Sequence, residues 1–204
     1  MKILKTVGIA VLSLVVLLLV VSFFLPSHMH VERSRVIKAR PDAVFAQVND
    51  LKNWMAWMPW NKKDPNIQIE WGAQTAGVGA GYSWKSAHDE VGNGKMHISK
   101  SEPNALVETQ MYLMDSAEPM TGTLKLEPAD GGNTKVTWSM DGDSGKNPMW
   151  KYTALMMDKM VGPDFEKGLE DLDRVAQANP IPEPQTQIVE APADTTQAMQ
   201  TTQL

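Results

Sequence analysis

The sequence predicts an α+β fold, an antiparallel sheet of about seven strands covered by one long carboxy-terminal helix, and three observations predict it. Residues 66 to 142 break into six short runs that alternate apolar and polar side chains between Gly-, Pro- and Asn-rich turns. Pro148 to Ala178 carries an apolar stripe at helical spacing. Ahead of both, no Lys, Arg, Asp or Glu occurs from Thr6 to Val31.

That uncharged stretch is the first element. Val7 to Leu25 is apolar except for Gly8, Ser13 and Ser22, and its nineteen residues would extend about 28 Å as a helix, close to the hydrocarbon thickness of a bilayer. A cleaved signal peptide has a shorter apolar core, of about 7 to 15 residues, and small residues at its cleavage site. Here Pro26-Ser27-His28-Met29-His30 follows instead. Residues 1–28 therefore read as an uncleaved transmembrane anchor that crosses the membrane through residues 7–25. Lys2 and Lys5 precede the span and resemble a signal-anchor start, whereas Arg33, Arg35, Lys38 and Arg40 follow it. Large domains translocate with little regard to their charge. The expectation is an inner-membrane, single-pass protein with its amino terminus inside and its domain in a bacterial periplasm.

Bulk composition removes several classes of function. The chain has no cysteine, so disulfides, thiolate nucleophiles and thiolate metal sites are excluded. Its 19 basic and 24 acidic residues give a net charge of -5, the wrong sign for a surface built on nucleic-acid phosphates. Phosphate loops, zinc-ligand clusters and nucleotide fingerprints are absent, and no cofactor or metal is expected.

The domain, residues 29–178, begins with His30 to Lys38, an exposed or edge strand. Pro41-Asp42 then starts a helix, with proline in the first turn and an acid favoured there by the helix dipole, and Val44, Phe45 and Val48 form its apolar face. A second short helix over Asp50 to Trp57 (DLKNWMAW) stops before Pro59. The six alternating runs follow, centred on Ile67–Ile69, Tyr82–Trp84, Met96–Ile98, Leu106–Leu113, Met120–Leu126 and Val136–Met140. Short turns between them, such as Gly92-Asn-Gly94 and Asp130-Gly-Gly-Asn133, imply an antiparallel meander with one buried face. In the last helix Ala154, Met157, Val161, Phe165, Leu169, Leu172 and Ala176 share one face, which must lie on the sheet. Gly162-Pro163 implies a kink there. From Asn179 the chain is rich in Pro, Gln and Thr with no apolar period, and 179–204 reads as a disordered tail.

The stretches VERSRVIKARPDAVFAQVNDLKNWMAWMPWNKKDP (31–65), GVGAGYSWKS (77–86), VGNGKMHISKSEPNALVETQMYL (91–113), TKVTWSMDG (134–142) and MMDKMVGPDFEKGLEDL (156–172) resemble the polyketide cyclase/dehydrase and lipid-transport family. That family lies within the START-like and birch-pollen-allergen-like superfamily, and the chain looks most like a membrane-anchored bacterial branch. The resemblance implies a helix-grip fold, a strongly curved sheet wrapped on the long helix with a cavity between them for an apolar ligand. Family members include cyclases, lipid carriers and hormone receptors, so fold alone does not pass on a function.

The candidate cavity wall comprises Trp60, Trp84, Met96, Ile98, Met111, Leu113, Met120, Trp138, Met140, Met157, Met160 and Phe165. Fourteen methionines suit irregular partners, and two readings stand: an adaptable apolar pocket, or a soft but filled core. The expected partners are a small hydrophobic molecule or lipid and, through residues 7–25, the membrane.

Catalytic candidates are sparse. SAHDE (86–90) gathers Ser86, His88, Asp89 and Glu90, yet a hairpin loop explains the cluster and triads are set by geometry, not adjacency. His28-x-His30 offers two nitrogens, a weak metal site on its own. Glu70, Glu108 or Asp141 could act as a general acid or base if one of them faced the cavity. Arg33, Arg35, Lys38 and Arg40 read either as a lipid-headgroup surface or as a charged edge strand protected from aggregation. Trp54 and Trp57, three apart, belong to a core face, whereas Trp60 is placed at an entrance.

Overall fold

The computed structural model describes residues 2–113, 118–145 and 147–179. Its elements are α1 (Lys2–Ser22), β1 (His28–Ile37), α2 (Pro41–Asn49), α3 (Trp54–Trp57), α4 (Trp60–Lys63), β2 (Gln68–Trp71), β3 (Gly81–Lys85), β4 (Gly94–Glu102), β5 (Leu106–Leu113), β6 (Met120–Ala129), β7 (Asn133–Asp143) and α5 (Pro148–Ala178). The strands form one antiparallel sheet in the order β1-β7-β6-β5-β4-β3-β2, a meander whose first strand closes beside its last. This curved sheet with a long carboxy-terminal helix is the α+β arrangement the sequence implies. The tail expected from Asn179 lies, beyond that residue, outside the described residues.

Local chemistry starts and stops the helices. Asn147 caps α5, its side-chain oxygen accepting from the Met149 N–H at 2.9 Å, and Pro148 fills the first helical position. α5 continues as one helix across Gly162 and Pro163. α1 ends at Ser22, three residues before Leu25, and the exposed Phe23 and Phe24 lie in the turn that follows. β1 opens at His28, inside the segment assigned from sequence to the anchor. The single helix expected before Pro59 is instead two four-residue helices with that proline between them, its φ of -62° suiting entry into α4.

Two tryptophans fix this connection. Trp54 and Trp57 are almost fully buried, and their indole N–H groups donate to the carbonyls of Val48 (2.9 Å) and Gln47 (3.3 Å) in the last turn of α2. Each buried ring therefore keeps its one donor satisfied.

The sheet is filled unevenly beneath α5. In the carboxy-terminal half of that helix Phe165, Leu169, Leu172, Val175 and Ala176 are buried, and α2 adds Val44 and Val48 to the same core. A Cβ on Gly168 would stand 2.7 Å from the Trp138 ring, so glycine permits a close approach of helix and sheet. In the amino-terminal half no residue before Gly162 is buried.

Ion pairs tie α5 to β1 along one side. Arg33 reaches across Gly162 and forks between Asp158 (2.7 Å) and Glu166 (2.8 Å), one turn to either side of that glycine. The Lys38 N–H donates to Asp173 at 2.8 Å, and Arg35 lies 3.8 Å from the same carboxylate. Arg40 is paired with Asp42 at 2.6 Å. Three of the four basic side chains that the sequence offered as a headgroup surface face the protein's own acids, Arg33 and Arg35 on α5 and Arg40 on α2. From the other side Lys62 binds Asp171, and Lys63 binds Asp164 at 2.8 Å. Burial opposes ionisation of Asp171, yet Lys62, Arg174 and Lys167 outweigh it and hold the carboxyl below the usual range.

Candidate functional site

A cavity of about 610 Å³ lies between the concave sheet face and the amino-terminal half of α5. Strand alternation builds its floor: Met96 of β4, Met111 and Leu113 of β5, Met120 of β6, and Trp138 and Met140 of β7 point inward. The roof comes from α5, where Trp150, Ala154, Met157, Val161 and Phe165 recur at intervals of four, three, four and four. Trp60, Trp84 and Tyr82 close the side nearest α4 and β3. The size falls within the usual range of small-ligand pockets, roughly 300 to 1,000 Å³.

Ring packing makes a hard inner end. Trp138 and Phe165 stack with centroids 4.0 Å apart and planes 6° from parallel, and Trp60 meets both edge-on at 6.1 and 6.3 Å. Trp60 is only partly buried, so it joins the core by one edge and the cavity by the other. Elsewhere the wall is pliable, with Met29, Met58, Met96, Met111, Met120, Met140 and Met157 all contributing. Glycines give the bulky rings room: a Cβ on Gly94 would collide with Trp84 at 2.6 Å.

Few polar groups reach the lining. Thr109 is satisfied by the Gly122 carbonyl at 3.3 Å. Burial pushes the pKa of the Tyr82 hydroxyl above its ordinary value, so it stays a donor. It is the kind of donor that could orient a polar atom on an otherwise apolar molecule. The acids of the lining include Asp143, which accepts from Ser27 (3.1 Å) and the Gly145 N–H (2.6 Å), and Glu90, held below the usual carboxylate range by hydrogen bonding to Lys63.

Of the twelve wall candidates taken from the sequence, the structure brings ten to this cavity and places Ile98 and Met160 elsewhere. Ile98 points inward but is wholly buried in the filled core with Val107, at the end of the sheet covered by α2. Met160 is 59% exposed on the outer side of α5, rotated off the stripe that Met157, Val161 and Phe165 share. Sequence reasoning missed Met29, Trp54, Met58, Tyr82 and Trp150 as lining residues. Trp150 was within reach, since it extends the helical stripe four residues before Ala154; Met29 was hidden because the strand was started after it.

The catalytic candidates scatter. Glu70 is exposed on β2, Glu108 accepts from Ser99 at 2.8 Å, and Asp141 sits beside His28 and His30; none of the three lines the cavity. The Ser86 hydroxyl donates to Asp64 at 2.5 Å rather than to His88, which fixes the SAHDE loop to the end of α4, so Ser86 and His88 do not form a nucleophile–histidine pair. Asp64 is accordingly held below the usual range by the Ser86 hydroxyl and the Asn66 N–H. His28, His30 and Asp141 bring three possible metal donors within 4.8 Å on the opposite face of the sheet, where Asp141 lies 2.7 Å from His30 and 3.3 Å from His28. The hydrogen bond between His30 and Asp141, with His28 close to the same carboxylate oxygen, accounts for this arrangement without an ion.

Comparison with known proteins places this geometry. The family model described as polyketide cyclase / dehydrase and lipid transport matches residues 28–177, and the chain belongs to that family. No curated protein matches it in sequence. Among solved structures, a protein from Chromobacterium violaceum is similar with a TM-score of 0.53 at 16% identity, over 74% of this chain and 99% of that one. A protein of unknown function from Staphylococcus aureus gives 0.55 at 14% identity, over 74% and 94% of the respective chains. These likenesses concern the fold.

Proposed function

We propose that this member of the polyketide cyclase/dehydrase and lipid-transport family is a membrane-anchored binding protein that holds a small hydrophobic molecule, a lipid or a lipid-like compound, beneath the first half of α5. The observation that carries this reading is the cavity itself, about 610 Å³ lined chiefly by methionine and aromatic side chains. An interior of that size left open costs contacts that a filled core would keep, so a ligand that replaces them is favoured. Methionine-rich walls suit a ligand defined by apolarity rather than by exact shape.

α1 supplies the anchor in this reading. Ile3–Ser22 is long and apolar enough to cross a membrane, and its side chains are exposed throughout except for Ser22. The amino terminus is placed inside and the domain in the periplasm, on the strength of Lys2 and Lys5 ahead of the span. In this reading the binding domain is residues 29–178, built from β1 through α5.

Mass spectrometry of the full chain purified in detergent tests the proposal. A co-purifying lipid is expected at near-stoichiometric level, and Ala154→Trp, which puts an indole into the cavity from the roof, should remove it without unfolding the protein. A wild-type protein free of bound lipid, and unable to take up a fluorescent fatty acid displaceably, would contradict the proposal.

A further inference from the structure

The first turn of α5 holds the end of α1. The Lys151 ammonium donates to the carbonyls of Ser22 and Leu25, each at 3.1 Å, which satisfies acceptors left open where the helix stops. The Tyr152 hydroxyl donates to the Leu18 carbonyl at 2.7 Å. Leu18 lies four residues inside α1, so this contact is about 6 Å below the helix end at ~1.5 Å per residue. The 20-residue span Ile3–Ser22 is about 30 Å long, the thickness of a hydrocarbon core, and a contact at that depth belongs to its margin. Tyrosine is suited to that level, with an apolar ring and a polar tip.

Around this contact α5 leaves apolar side chains uncovered. Met149, Met156 and Met160 are spaced seven and four apart and form one outward stripe, exposed by 74%, 58% and 59%. Trp150 and Leu155 are also half exposed or more. Lys159 lies beside the stripe and is exposed, placed to meet anionic headgroups. A patch of this kind on a water-facing helix marks a surface that something covers. Here the neighbouring transmembrane segment identifies the cover, because it brings the patch to the bilayer surface. Trp150, at the edge of the patch, also lines the cavity together with Met29, Pro119, Ser144 and Gly145.

We propose that the amino-terminal half of α5 is seated in the bilayer interface and that the cavity opens there, so that an apolar ligand passes between leaflet and cavity without crossing water. Seating rests on the transmembrane reading of α1 proposed above together with the α1 contact and the methionine stripe; the passage of ligand rests on the binding function proposed with it. Both parts use an amphipathic helix lying in the plane of the interface, with its apolar side sunk into the acyl boundary.

The absence of native cysteine makes the test direct. Single variants Trp150→Cys, Met156→Cys, Met160→Cys and Val78→Cys of the full chain are labelled with an environment-sensitive fluorophore in nanodiscs of phosphatidylethanolamine and phosphatidylglycerol. A nitroxide on the lipid acyl chains and iodide in the water then compete as quenchers. The lipid nitroxide should quench labels at 156 and 160 several-fold more than iodide does, and the label at 78, on a loop tied to α2, in the reverse order. Labels at 156 and 160 that behave like the one at 78 would overturn the seating. Quenching by lipid at 156 and 160 but by iodide alone at 150 would overturn the opening to the leaflet. The readout does not depend on a bound ligand, so it stands apart from the fate of the binding function.

Discussion

The two halves of α5 lie over the same sheet and are opposite in character. From Phe165 onward the helix is pressed down: Gly168 admits the Trp138 ring, Leu169, Leu172 and Ala176 are buried, and acids at 166, 171 and 173 are paired with basic residues from β1 and α4. Before Gly162 the helix stands off, and Trp150, Ala154, Met157 and Val161 roof a cavity instead of filling it. The difference teaches that one amphipathic stripe can serve as core at one end and as binding surface at the other, with the change set by what lies beneath. Under the second half α2 and the Trp54–Trp57 pair fill the sheet; under the first half, among the described residues, nothing comparable is inserted.

Truncating the pressed half should have the largest effect. Leu172→Ala removes a fully buried side chain among residues that cannot close in, and a loss of about 2 to 5 kcal/mol is expected, whereas Met157→Ala, which only enlarges an existing cavity, should cost under about 1 kcal/mol. Urea denaturation of the domain from His28 onward measures both; equal losses would break the distinction between the halves. Next comes Gly168→Ala. Its Cβ would press on Trp138 at 2.7 Å, an overpacking cost of about 1 to 3 kcal/mol against a helix-propensity gain of about 1 kcal/mol, so a net loss of stability is expected together with a change in near-ultraviolet circular dichroism from the Trp138–Phe165 stack.

Acid should loosen the ion pairs that tie α5 to β1 and α4, and Arg40 to Asp42. Asp158 is held below the usual carboxylate range by Arg33, Asp42 by Arg40, and Asp171 by Lys62 and Arg174 against its burial. Carboxylates with lowered folded-state pKa values contribute stability that is present above their unfolded pKa and is lost as pH falls through the folded one. The melting temperature should therefore hold above about pH 5 and fall below about pH 4, and a profile flat through that range would show that the pairs contribute nothing. The sharpest effect on binding is expected for Trp60→Ala. Probe affinity should drop more than melting temperature, since the ring is only half buried; the reverse order would make Trp60 plain core.

Much of this contrast was written in the sequence and part of it was not. Period-two runs and the four-residue stripe of α5 marked the strands and the helix; alternation carried seven of the wall residues inward from the strands, and the stripe carried Met157 and Phe165. Alternation tells which face a residue takes but not how far along the sheet the filling extends, so Ile98, on the right face, belongs to the filled end. Methionine composition likewise suggested a pliable pocket while leaving open which methionines face it, and Met160 faces out. Arg33 was unreadable for another reason: its partners Asp158 and Glu166 lie more than a hundred residues away, and only the curl of β1 against α5 brings them together. Asp141 beside His28 and His30 depends in the same way on the pairing of β1 with β7.

The most direct test of the binding function is photo-crosslinking of the full chain in nanodiscs with a fatty acid that carries a photoactivatable group on its chain, followed by peptide mapping. Adducts are expected on Met111, Leu113, Met120, Trp138 and Met157, inside the cavity, and should disappear in Ala154→Trp. Adducts confined to α1 and the outer methionines Met149, Met156 and Met160, unchanged by that substitution, would mean that the protein meets lipid only as its surroundings and that the cavity does not hold it.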